Sequence, residues 1–290
     1  LSRIFIPNVQ PEFPEWIDSS MLSTFRACPY KFFLEYILHY KPKQESVHLV
    51  AGGAFAKGLQ FAREAFYVHK ASPTEAEAVG LKALMLAYGD FECPADSAKS
   101  LERMMGALEF YFDNYPLGHD GATPIVLPSG KHGIEFTFAE PLDESHPVTG
   151  APLLFCGGSD MVAKYASGTF VEDDKTTSSL GPTWSRQWDL RGQFSGYCWG
   201  LGKGGIKTDG VLVRGVSILK TKYETQQAIT YRHPWMLDEW YEALIESIQE
   251  MKRFWERGWW RQDLDKACAD YGGCAFRRVC LSNDRQPWLD

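Results

Sequence analysis

The sequence predicts an α/β fold, a mixed central β-sheet with helices on both sides, and three observations carry that prediction. Five short stretches near residues 134, 154, 169, 211 and 227 are rich in β-branched and aromatic residues, as strands are. Longer segments around them repeat apolar residues at helical spacing. Tyr165-Ala166-Ser167-Gly168 is turn chemistry between two of the strands, which makes those two a hairpin.

The elements follow in order. Pro7, Pro11 and Pro14 make residues 1–17 an extended arm. A helix starts near Asp18-Ser19-Ser20, any of which can cap it, and carries Met21, Leu22, Phe25, Cys28, Phe32, Phe33 and Tyr36. Pro29 interrupts it, so the helix breaks there or Cys28 sits between two helices. Ala51 to Tyr67 is the next helix, followed by 73–91, capped at Ser72, and 97–115. Residues 116–132 connect to a strand, Gly133–Phe138, and 139–152 read as a polar loop. After the hairpin and a Ser/Gly/Pro loop, Trp184 to about Leu201 reads as one helix. Residues 210–219 and 226–231 read as an antiparallel strand pair, and Asp238 as the cap of a long helix reaching Arg257.

A chain of 290 residues with 44% apolar residues can bury a sizeable core, and a single domain over 1–290 is expected. No apolar run approaches the ~18 residues a membrane span needs, and no signal-peptide pattern opens the chain. The cytoplasm is the expected location, and Leu1 in place of Met implies trimming. The net charge is −7. Nucleic-acid binders are commonly basic, so a surface for one would have to be local. Between Lys252 and Arg285 basic residues do outnumber acids, with Asp263, Asp265, Asp270 and Asp284 among the latter. Such a stretch suits backbone phosphates.

The hairpin holds the chemistry. Gly157-x-x-Asp160 ends its first strand and Asp173-Asp174-Lys175-Thr176 its second. Period-2 alternation puts Asp173 and Lys175 on one face, and strand pairing brings Asp160 near them. Two carboxylates so placed repel unless a cation sits between them, and Mg²⁺ or Mn²⁺ takes oxygen ligands of this kind. A neighbouring lysine can orient or deprotonate an attacking water. Taken alone, acid-x-Lys at a strand end is usually a solvated surface pair.

These residues resemble the PD-(D/E)XK nuclease superfamily, in particular its RecB-like branch, in which a G-x-x-D strand precedes a strand ending in D-x-K-T. The resemblance implies a restriction-endonuclease-like core in which Asp160, Asp173 and the Asp174 backbone carbonyl hold Mg²⁺ or Mn²⁺. Lys175 would act on the water. It extends to Gln193-x-x-x-Tyr197, a pair expected to flank the scissile strand, and to Glu135, which either reaches the metal or faces solvent. Trp184 and Trp188 could stack on bases or pack in the core. One departure stands out. Ala56 occupies the place of a metal-ligating histidine, and Gln60, Glu64 or water would have to substitute.

Three of the seven cysteines fall in Cys268-x5-Cys274-x5-Cys280. Such grouping points to zinc or a four-iron four-sulfur cluster, either of which needs one more ligand. Ser20-x-Leu22-x-x-Phe25-x-x-Cys28-Pro29-x-x-Phe32-x-x-x-Tyr36 is similar to the opening of RecB-like nucleases with a 4Fe-4S cluster, which makes Cys28 the fourth. Residues 20–40 and 265–281 would then form a cluster-binding module joining the N- and C-terminal helices. Here the family spacing shifts, with Tyr271 where a cysteine is expected and Cys268 one turn earlier.

The implied activity is metal-dependent DNA exonuclease in recombination or repair. DNA ends or single strands would be the substrate, and a recombination or annealing protein a partner. A phage-encoded version would work in the host cytoplasm. Oligomeric state is not legible in the sequence. Two rival readings use the same residues: a DNA-binding or assembly subunit with a decayed site, and a redox-sensing iron–sulfur protein on a nuclease scaffold.

Overall fold

The computed structural model describes residues 11–263, 266–269 and 273–282. The first ten residues of the expected arm, and Asp265, Asp270, Tyr271, Asp284 and Arg285, lie outside the described residues. In chain order the elements are β1 (Trp16–Asp18), α1 (Ser19–Ala27), α2 (Pro29–Phe32), α3 (Val47–Arg63), α4 (Pro73–Tyr88) and α5 (Leu101–Asn114). Then come β2 (Ala122–Pro124), β3 (Ile134–Ser145), β4 (Pro152–Tyr165), β5 (Gly168–Thr177), α6 (Pro182–Arg186) and α7 (Gly192–Lys203). The last are β6 (Gly210–Ile218), β7 (Tyr223–Tyr231), α8 (Pro234–Arg257) and α9 (Arg277–Leu281).

The chain divides into two compact units. One comprises Leu1–Lys43, Ala139–Gly157 and Asp238–Asp290; the other comprises Gln44–Phe138 and Gly158–Leu237. In the first unit, β1 pairs in parallel with the start of β4, Ile17 opposite Phe155. Asp18 accepts a hydrogen bond from Met21 N at 2.8 Å and so caps α1. Cys28 is extended, and Pro29 opens α2 behind it. Cys28 therefore sits at a junction between two helices, one of the two outcomes that Pro29 allows.

The second unit carries a mixed sheet. β4 and β5 are antiparallel, β5 and β6 parallel, and β6 and β7 antiparallel, while β2 adds to β4. Helices cover both faces. Residues of α3, α4 and α5 form one buried cluster with Val216 and Ile218 of β6. Trp184, Trp188, Phe194, Tyr197 and Leu201, from α6 to α7, form another with Val162, Val171, Val211 and Val213. Packing of α3 on α4 is close enough to require glycine: a Cβ on Gly80 would stand 2.7 Å from Gly58 O. The Ser72–Glu75 capping box starts α4, as the sequence indicates.

Three expectations need correction. The helix expected over 184–201 is two helices, broken at 187–191. The buried Arg232 guanidinium donates to Trp188 O at 2.9 Å and to Arg191 O at 3.4 Å, which satisfies carbonyls freed by the break. Residues 139–145 are not loop but the continuation of β3, where Pro141 is tolerated because, among the described residues, β3 pairs with β4 alone. The long helix begins at Pro234, ahead of Asp238, because proline fits a first helical turn. No helix among the described residues is long and apolar enough to cross a membrane.

Candidate active site

Parity along the strands sorts the charges of the second unit onto two faces. Val162 and Val171 point into the cluster containing α6 and α7, so Asp160, Asp173 and Lys175 share that side. Asp173 is 2% exposed and Lys175 Nζ lies 2.5 Å from its Oδ1. Asp160 Oδ2 accepts from Asp174 N at 2.7 Å. The sequence-predicted acids and lysine are thus gathered on two adjacent antiparallel strands, Asp160 within β4 and Asp173 and Lys175 within β5.

Electrostatics there are strained. Burial, then Asp173 and Asp174, push the Asp160 pKa well above the usual carboxylate range. Burial raises Asp173 as well, with Lys175 opposing it. Burial pulls the Lys175 ammonium down, but Asp173 and Asp160 more than offset this and raise its pKa. Two desolvated carboxylates with one lysine leave negative charge that a hard cation would balance. Their oxygen donors fit Mg²⁺ or Mn²⁺. Among the described residues no three His, Cys, Asp or Glu side chains are gathered as a metal-holding group, so backbone and water oxygens would complete the set.

On the opposite face lies a buried polar hub that the sequence reading missed. Glu172 and Arg214 are both 0% exposed. Arg63 of α3 reaches Glu172 at 2.5 Å and Asp174 at 2.8 Å. Arg214 of β6 reaches Glu172 at 3.1 Å and Asp120 at 2.5 Å. Tyr111 of α5 donates to Asp174 Oδ1 at 2.7 Å. The Asp174 side chain is therefore held by the hub, while its backbone N–H holds Asp160. Burial lifts the Glu172 carboxyl to about 7, and Arg63 and Arg214 pull the other way. A signal was available: Arg214 interrupts the apolar run of β6, where a charge must be paired to be buried.

The remaining predicted site residues are placed differently. Gln193 Nε2 donates to Tyr197 Oη at 2.6 Å on α7, so the pair exists as one unit. Arg191, just before α7, is near enough to draw the Asp173 pKa down. Trp184 and Trp188 pack edge to face in the core, 5.5 Å between ring centroids. Glu135 has a left-handed backbone (φ 50), and burial raises its pKa while Lys57 and Arg63 of α3 lower it. On α3, Lys57 donates to Gln60 at 2.6 Å, and Gln60 donates to Glu64, just past the end of α3, at 2.9 Å, a chain that begins beside Ala56.

In the first unit, Cys28, Cys268, Cys274 and Cys280 line one open pocket. Asp263 bridges two of them: its N–H points to Cys28 Sγ at 3.5 Å, and its carbonyl accepts from Cys268 Sγ at 3.4 Å. Their thiols suit zinc or an iron–sulfur cluster chemically. No group of three among the described residues is drawn to ligand geometry here either.

The family model of the PD-(D/E)XK nuclease superfamily matches residues 19–281. The chain belongs to this superfamily. The matched range includes Asp160, Asp173 and Lys175. Among solved structures, one from Eubacterium rectale, named only provisionally as an exonuclease, aligns at 11% identity with a TM-score of 0.52. It covers 90% of this chain and 89% of that chain, which is a likeness of fold. A second, named SSO0001, covers 80% of this chain and 84% of that chain at 12% identity; its TM-score of 0.29 carries no argument. No curated protein matches the chain.

Proposed function

We propose that the chain is a metal-dependent DNA exonuclease of the RecB-like branch, hydrolysing phosphodiesters at Asp160, Asp173 and Lys175. The observation that carries this reading is the convergence of two desolvated carboxylates and a lysine on the paired strands β4 and β5. A divalent cation held by Asp160, Asp173 and the Asp174 carbonyl would supply Lewis-acid stabilisation of the charge developing on phosphorus. Lys175, kept protonated by its carboxylate neighbours, orients the attacking water and donates a hydrogen bond to the phosphoryl oxygen. The hub beneath fixes Asp174, and through its N–H the rotamer of Asp160. Gln193 and Tyr197 line the strand on the α7 side.

The four cysteines of the first unit hold a 4Fe-4S cluster or zinc in this reading and serve structure rather than hydrolysis. Recombination or repair is the setting the reading implies. The test compares linear with covalently closed circular DNA in Mn²⁺. Loss of end label from linear strands, with circles left intact, supports an exonuclease. Nicking of circles points to an endonuclease, and no turnover on either to a decayed site.

A further inference from the structure

The loop joining α4 to α5 ends on Lys99, whose charge has no role in the site above. Lys99 is 5% exposed, and its ammonium donates to Thr176 Oγ1 at 3.1 Å. The backbone is fixed from both directions. Tyr88 Oη donates to Lys99 O at 2.7 Å, and Lys99 N donates to Ser97 Oγ at 3.1 Å. Among the described residues no carboxylate pairs with it. Burial alone acts on its pKa, and lowers it.

This differs from the other buried cations beside β5. Arg63, Arg214 and Lys175 each face carboxylates. An ammonium has three donors, and the Thr176 hydroxyl takes one without bringing charge. Burying a cation with no anion is costly, so the natural partner of Lys99 is an anion from outside the chain.

Two further features suit that anion. Ser100, next in sequence, caps α5, a helix of 14 residues whose N-terminus carries partial positive charge. Thr176 is also half-buried, not sealed. Gly52 of α3 packs beside it, where a Cβ would come into ordinary contact with Thr176 Oγ1 at 3.9 Å, and the neighbouring Gly53 is exposed with nothing within 4 Å of a Cβ.

We propose that Lys99, the Thr176 hydroxyl and the N-terminus of α5 form a phosphate subsite that grips the nucleic-acid strand at the residue after Lys175, on the α3 side of β5. The proposal rests on the nuclease reading and deepens it by naming where the strand is held. The phosphate is either an internal phosphodiester or a terminal phosphate, two sources of one chemistry.

The test is equilibrium binding of a labelled single-stranded oligonucleotide by the full chain in EDTA, over a series of salt concentrations. Lys99→Met should raise Kd about tenfold and flatten the log–log salt dependence by about 0.7, the share of one single-strand phosphate contact. Lys99→Arg should restore both. A slope equal to wild type in Lys99→Met overturns the subsite. Should Lys99→Met fail to fold, Gly52→Asp decides. Its carboxylate can supply the missing anion, so it should raise Tm and weaken binding, whereas Gly52→Asn should not. Equal binding by the two Gly52 variants contradicts the proposal. Oligonucleotides ending in phosphate or hydroxyl separate the sources: a Lys99 effect confined to phosphorylated ends assigns a terminal phosphate, and one on all ends assigns the backbone. A wild-type chain that binds no oligonucleotide would instead overturn the nuclease reading itself.

Discussion

At the scale of single residues, the site is held in a state that costs stability in the absence of a cation. Asp160 is raised by burial and by Asp173, so it binds more protons folded than unfolded between its unfolded value of 3.8 and its raised folded one. Stability from this group is therefore greatest in acid and falls as pH rises through the folded pKa. Asp160→Asn removes that liability. In EDTA the variant should melt higher than wild type, and its advantage should be larger at about pH 8 than at about pH 5. Urea midpoints at both pH values check this; an advantage that shrinks as pH rises would contradict it. The gathering of Asp160, Asp173 and Lys175 was legible because a hairpin brings its two strands together and period-2 alternation sorts their faces, while the chemistry read into them came from the family resemblance. Arg63, Tyr111, Asp120 and Lys99 were not legible. Each acts through a partner more than 50 residues away, apart from Arg63's bond to Tyr111 at 48, and nothing local distinguishes such a residue from a surface one.

At the scale of elements, periodicity found most helices and the hairpin because each buries a stripe or a face of its own. It failed between Trp184 and Leu201, where apolar spacing continues across the break and the residue that stabilises the break, Arg232, lies beyond two strands. It failed again over 139–145, where proline and acids hide an edge strand. The packing of α3 against α4 matters for the site because α3 delivers Arg63 to Glu172 and Asp174. Gly80→Ala would push a methyl toward Gly58 O and the Ala62 side chain. It should destabilise by roughly 1–3 kcal/mol, as overpacking does, and lower turnover through displaced Arg63. Thermal melts and single-turnover rates read the two effects, and unchanged values for both would show that the helices part without consequence.

At the scale of the whole molecule, one unit carries the proposed hydrolytic site and the other carries four cysteines about one pocket. Cys28 and Cys268 are separated by some 240 residues of sequence, so a metal joining them would constrain the unfolded chain strongly. Anaerobically purified protein should carry iron or zinc, and Cys268→Ser should lose it and melt lower. Cys156→Ser should keep its metal, because Cys156 lies on β4 outside the pocket. Metal loss in Cys156→Ser but not in Cys268→Ser would mean the pocket is not the site. The central claim, though, is hydrolysis by the carboxylate pair. It is tested most directly by measuring Mn²⁺-dependent release of nucleotides from end-labelled linear DNA by wild type and Asp173→Asn, each with a melting curve. The account predicts turnover by wild type that EDTA abolishes, and a folded Asp173→Asn protein reduced to background, since residues acting as one unit lose most of the rate together. Near-wild-type release by folded Asp173→Asn would contradict it.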